Sequence, residues 1–216
     1  MLLAILKATF FLPWCLTLPV PPAADLKGWD FVKDYFQRFF MTKKESSPLT
    51  QGEQIRFLQQ FFRLNVTGLL DKQTLAVLRQ PRCGVPDAAY YSVSPERLKW
   101  DEDTLTYRII NYPYGLKTST VKDIMRAAVS IWSSVTPLVF EQVDDRDADI
   151  KISFWALGIN LFLVATHELG HALGLYHSGN PNSIMYPTYE YKDPRTFHLS
   201  LEDIRRIQHL YGRKEA

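Results

Sequence analysis

The 216-residue sequence predicts an α+β fold in two parts, a small helical unit over residues 18–89 and a second unit over residues 90–216 in which three helices pack on one twisted sheet. Three observations carry this. Before Cys83, apolar residues recur three times at helical spacing. After residue 103, β-branched and aromatic runs alternate with helical patterns in the order strand, helix, strand, strand, helix, helix, which suits one sheet covered by helices. Between the two lies a turn-rich connector from Pro81 to Pro95.

The first residues stand apart from both units. Met1 to Leu12 is apolar except for Lys7 and Thr9, and Pro13 interrupts it. A membrane span needs about 20 apolar residues, so the run has the length of a signal-peptide core, with small and polar residues near Thr17 where a peptidase cuts. We assign residues 1–17 to a signal peptide. Nothing later is long and apolar enough to be a membrane anchor, so a secreted, soluble chain is expected.

In the helical unit, Trp29, Val32, Phe36 and Phe39 share one side of a helix over Gly28 to Phe40. Thr50 and Glu53 form a capping box that opens a second helix with Ile55, Leu58 and Phe62 inward. Asp71 caps a third, carrying Leu75 and Leu78. Asn65-Val66-Thr67 is a glycosylation sequon, consistent with a surface loop. In the second unit, Thr104 to Asn111 reads as a strand. Thr120 and Asp123 are expected to cap a helix with Val121, Ile124, Ala128, Ile131 and Val135 inward. Leu138 to Val143 and Asp149 to Trp155 follow as strands, then an apolar helix from Leu161 to Leu175. Ser200 caps the last helix, with Ile204, Ile207 and Leu210 inward and Gly212 past its end.

The apolar share of 46% and charged share of 22% are those of a globular protein, and a net charge of +2 without a Lys/Arg run argues for no nucleic-acid partner. A monomer is expected. Of the two cysteines, Cys15 would leave with the signal peptide. Cys83 would then be unpaired in an oxidising compartment, in an exposed Pro/Gly setting, which suggests a reactive or ligated sulfur.

The chemistry concentrates in His167-Glu168-Leu169-Gly170-His171-Ala172-Leu173-Gly174-Leu175-Tyr176-His177. Residues four apart share one helix face, so His167 and His171 can hold one metal. Gly174 lets the chain leave the helix left-handed and bring His177 back as a third ligand. Three imidazoles suit one Zn2+ and leave a position for water, whose pKa falls to about 7. Glu168, beside the metal, can take that water's proton and pass it to the leaving amine of a cleaved peptide. A bare H-E-x-x-H also fits two solvent-facing histidines; the added x-x-G-x-x-H, and Met185 in Ser183 to Pro187 where a Met-turn is expected, argue against that. His198 and His209 show no ligand spacing.

Pro81-Arg82-Cys83-Gly84-Val85-Pro86-Asp87, with the zinc motif and Met-turn, resembles the matrix metalloproteinases among the metzincins, over nearly the whole chain. No hemopexin-like segment follows Gly212, so the likeness is to the short, matrilysin-like subgroup. The resemblance implies a prodomain over 18–89 whose Cys83 fills the fourth zinc position in the latent form, an Arg82–Asp87 ion pair that shapes the loop, and release by a cut near Asp87 to Ser92. It implies that Pro187 and Tyr189 wall a substrate pocket with Leu163 at its base. It further implies extracellular matrix protein substrates, gelatin-like and basement-membrane targets among them, proteinaceous metalloproteinase inhibitors as partners, and Ca2+ beside the catalytic Zn2+.

The sequence departs from that family at one place. Only Ala156 to Asn160 separates the third strand from the zinc helix, where the family carries two further strands, a structural zinc site and most of the calcium ligands. Ca2+ ligands are therefore largely missing, and an edge strand used to pair with extended substrates is lost. Two readings follow: a working zinc endopeptidase, or an internally deleted isoform that keeps only zinc binding or prodomain interactions.

Overall fold

The computed structural model describes residues 28–40, 49–87, 99–154 and 160–215. The signal peptide with Cys15, the loop at 43–48, the connector beyond Asp87 and the junction at 155–159 lie outside the described residues. Among the described residues, six helices and three strands run in the order α1 (Trp29–Phe39), α2 (Gln51–Phe61), α3 (Lys72–Leu78), β1 (Thr104–Ile109), α4 (Thr118–Ser133), β2 (Val139–Gln142), β3 (Ile150–Ile152), α5 (Leu161–Ala172) and α6 (Leu201–Tyr211). The fold is α+β, as the sequence predicts.

Helices α1 to α3 enclose an aromatic core. Phe31, Val32, Tyr35, Phe36, Phe39 and Phe40 are buried with Ile55, Leu58, Phe62 and Leu78. The expected face of α1 is thus wider than Trp29, Val32, Phe36 and Phe39. Trp29 is only half-buried, while Phe31 and Tyr35 are buried, Tyr35 with its hydroxyl on Arg82. The capping box at Thr50 and Glu53 and the Asp71 cap both form. Gln59 is fully buried, yet its amide bonds Thr67, Leu69 and Thr74, so the loop between α2 and α3 is pinned from inside.

The sheet is parallel, in the order β2-β1-β3. Along β1, Leu105, Tyr107 and Ile109 alternate inward and pack with Val121, Met125, Ala128, Val129 and Trp132 of α4. Ile124, Ile131 and Val135 flank that face rather than fill it. The expected cap at Thr120 is not made. Thr118 and Ser119 extend the helix N-terminally, so Thr120 falls inside its first turn, and Asp123 accepts from Arg126 at 2.7 Å instead. All three strands are shorter than their apolar runs. Helix α5 ends at Ala172, three residues before the predicted stop.

Helix α5 is apolar almost all round and is buried accordingly, between α4 and the loop that carries Met185. Gly170 makes this possible: a Cβ there would lie 2.3 Å from Met185 Sδ and 3.0 Å from Trp132 Cζ2. Gly170→Ala is expected to destabilise the fold by about 1–3 kcal/mol, as overpacked core substitutions do. Denaturant unfolding measures it, and an unchanged midpoint would contradict so close an approach.

Candidate metal centre

Asn160 starts α5: its side chain accepts from the N–H groups of Phe162 and Leu163, and its own N–H donates to the Tyr189 hydroxyl at 3.3 Å. One turn apart near the other end, His167 and His171 project from the same face. The helix closes with Gly174 at φ 89, its N–H on His171 O and that of Leu175 on Gly170 O, the paired bonds of a Schellman stop. The freed carbonyls of Ala172 and Leu173 accept from Trp100 Nε1 and the Tyr211 hydroxyl. This sharp exit returns the chain so that the His177 ring centre lies 4.6 Å from His171 and 5.2 Å from His167.

Cys83 completes the group. The Sγ and one ring nitrogen from each histidine all lie within 4.8 Å of one another. Contrary to its expected exposure, Cys83 is buried, because the residues around it are clamped onto the second unit. Arg82 pairs antiparallel with Thr188, Cys83 N–H donates to Pro187 O at 2.7 Å, and Tyr189 N–H to Pro81 O at 3.2 Å.

Each imidazole commits its Nδ1 elsewhere: His167 to Ile184 O at 2.6 Å, His171 to Leu175 O at 2.7 Å, His177 to Asp87 Oδ1 at 2.6 Å. With Nδ1 donating, each ring in its neutral form turns an Nε2 lone pair inward. His171 and His177 Nε2 are 3.1 Å apart, and His167 Nε2 is buried with no hydrogen-bond partner. Converging lone pairs beside a sulfur fit a tetrahedral Zn2+ donor set. Burial lowers the His171 pKa to about 4, favouring the neutral ring a metal needs. For His167, burial acts the same way, but Cys83 and the Glu168 carboxylate outweigh it and raise the pKa to about 9.

Glu168 is buried beside the group, its Oε1 3.8 Å from Cys83 Sγ and 3.9 Å from His167 Nε2. Below, Met185 is fully buried. Its loop is fastened by Asp203, which accepts from the Ser183 hydroxyl and from Ile184 N–H at 3.0 Å while capping α6. Arg82 and Asp87 form an ion pair at 2.9 Å in full burial. Arg82 also bonds the Tyr35 hydroxyl at 2.6 Å and stacks on the Phe39 ring at 3.7 Å. Burial pushes the Tyr35 phenol up to about 12. Burial also opposes the Arg82 charge, but Tyr35 and Asp87 raise its pKa further, so the guanidinium stays charged.

Leu163 lies in the main core, Pro187 is buried and Tyr189 is half-buried above Asn160. Asn65 is exposed in the loop after α2, and His198 and His209 are exposed, outside the metal-binding group. Three contacts escaped the sequence reading: Asp87 on His177, Tyr35 on Arg82, and Asp203 on the Met185 loop. The capping box at Ser200 pointed to Asp203 locally, but its second oxygen's task is long-range. No described helix is long and apolar enough to cross a membrane.

The Matrixin family model matches residues 99–157 and 155–212, in two pieces that meet where the chain is shortened. The chain is 56% identical to human matrix metalloproteinase-26, covering 99% of this chain and 98% of that protein. That alignment spans 256 positions, 40 more than the 216 residues here. Human matrilysin is 36% identical over 99% of this chain and 98% of its own length. Rat macrophage metalloelastase is 40% identical over 88% of this chain and 52% of its own length.

Zinc titrated into metal-free chain is expected to bind one equivalent and release protons from the Cys83 thiol and His167, with affinity falling as pH drops below about 9. At about 100 times its dissociation constant, zinc should stabilise the fold by about 2.7 kcal/mol. Thermal unfolding with and without chelator measures this; identical curves would exclude a stoichiometric site.

Proposed function

The chain belongs to the matrixin family of zinc-dependent metalloendopeptidases, and from that premise we propose that it is a secreted zymogen whose Cys83 silences a zinc centre held by His167, His171 and His177. The observation that carries the reading is the meeting of the Cys83 sulfur with three inward-facing imidazole nitrogens inside 4.8 Å. In this reading residues 1–17 are a signal peptide, 18–89 the prodomain and 90–216 the catalytic domain, and Asn65 is available for glycosylation.

A Zn2+ ion, when bound, supplies Lewis acidity toward a water and a peptide carbonyl. The protein does the rest. Glu168 receives the proton of the attacking water and delivers it to the leaving amine. Cys83 denies that water its place until the connector is cut, and the Arg82–Asp87 ion pair holds the loop that presents the thiol. Leu163, Pro187 and Tyr189 border the pocket for the residue after the scissile bond. Extracellular matrix proteins are the substrate class, and proteinaceous metalloproteinase inhibitors the expected partners, by kinship with the matrix metalloproteinases.

The split family match supports a second reading. Without the missing segment an extended substrate loses a pairing edge, and misplacement by an ångström costs about a hundredfold in rate. The chain then binds zinc or its own prodomain without turning over peptides. Purified chain treated with an activating protease and a quenched peptide separates the two. Catalysis predicts cleavage that falls by about 10²–10⁴ in Glu168→Ala, and Cys83→Ala active without the activator. Cleavage equal to the Glu168→Ala background would leave the non-catalytic reading standing.

A further inference from the structure

The three imidazoles are not supported alike. His167 and His171 donate to Ile184 O and Leu175 O, both contributed by the second unit itself. His177 donates instead to Asp87 Oδ1, at 2.6 Å, and Asp87 lies at the end of the segment that carries Cys83. Both side chains are almost wholly buried, at 1% and 0% exposure, so no solvent competes for this bond. The other carboxylate oxygen accepts from Arg82, which is fixed by Tyr35 and Phe39 of α1, and Asp87 N–H donates to Phe39 O at 2.7 Å. A continuous buried chain thus runs from α1 through Arg82 and Asp87 to His177.

We infer that Asp87 is a positioning residue for the metal centre, which orients His177 as a ligand only while the N-terminal unit is docked. This rests on the zinc-centre reading above and goes beyond Asp87's pairing with Arg82. A carboxylate on Nδ1 fixes the ring's tautomer and rotation and makes Nε2 a stronger donor; losing such a partner costs about 10–100-fold in metal affinity. A cut in the connector beyond Asp87 then withdraws two supports together, the Cys83 sulfur and the acceptor of His177. The coupling is reciprocal: metal at the site tightens the hold of the Asp87 segment by the same factor by which that segment tightens the metal.

Zinc affinity of the full chain, measured by competition with a chelator in a Cys83→Ser background, tests this without any activity readout. Adding Asp87→Asn is expected to weaken zinc by about tenfold or more, and Arg82→Gln by clearly less, since it leaves the bond to His177 in place. Equal affinity with and without Asp87→Asn overturns the inference while leaving the zinc centre intact; equal losses in both variants assign the effect to the loop's ion pair and overturn it too. A chain that binds no zinc even before Asp87 is changed overturns the zinc-centre reading itself. Should Asp87→Asn fail to fold, the Cys83-intact chain labelled with ¹⁵N histidine decides. A His177 Nδ1 proton protected from exchange and close to Asp87 is expected, and a solvent-exchanging Nδ1 overturns the inference.

Discussion

Three imidazole rings bring their Nε2 atoms to one buried point beside the Cys83 sulfur. Their Nδ1 protons are committed to Ile184, Leu175 and Asp87, so rotation cannot relieve the crowding. A cation or a proton must sit between lone pairs 3.1 Å apart. Much of the second unit exists to hold this geometry. The Schellman stop at Gly174 delivers the Leu175 carbonyl, and Asp203 holds the loop that delivers the Ile184 carbonyl. Met185 against Gly170 keeps that loop pressed on the helix. Because these tethers exist only in the folded chain, a metal held here would add its binding free energy to the stability of the fold.

The buried ion pair beside the site is harder to justify by stability. Desolvating a carboxylate and a guanidinium costs several kcal/mol per ion, and the mutual attraction often no more than repays it. What the pair achieves is placement. Arg82 is gripped on each side, by Tyr35 and Phe39 from the helical unit and by the Cys83 carbonyl and Asp87 from its own loop. The thiol therefore cannot leave the centre without exposing or stranding the guanidinium, and removing one partner alone costs about 3–5 kcal/mol. Local packing of three small helices thereby reaches a candidate metal site whose histidines lie in the second unit, far along the chain from α1.

Elements whose cause is local could be read from the sequence. The caps at Thr50, Asp71 and Ser200 each depend on residues three apart, and the stop at Gly174 on one glycine. The His167, Glu168, His171 and His177 spacing is equally local, since helix geometry alone brings the first pair together. Thr120 misled because two further helix-compatible residues precede it. The burial of Cys83 was hidden, because a Pro/Gly loop looks solvent-exposed until a partner strip covers it. Asp87 on His177 spans ninety residues, and no periodicity encodes such a contact. Tyr35 falls outside the set Trp29, Val32, Phe36 and Phe39 picked out by helical spacing, and the guanidinium it meets lies far along the chain.

The shortened junction is tied at both ends. Before it, Asn111 accepts from Phe154 N–H at 2.7 Å and donates to Phe154 O at 2.8 Å, so the chain leaves β3 in a fixed direction. After it, Asn160 caps α5 and hangs on Tyr189. On either side of the junction, the described residues close one core that includes Trp132 and Leu169. The ties do not replace an edge. Among the described residues β3 pairs only with β1, so the backbone groups of residues 187–189 are the track on which an extended chain is seen to pair. Pro81 to Cys83 occupies that track now, through the bonds to Pro187 and Tyr189. A substrate that lies along it competes for the same N–H and C=O groups. On the proposed zymogen reading, latency and substrate binding would then exclude each other at the backbone as well as at the metal.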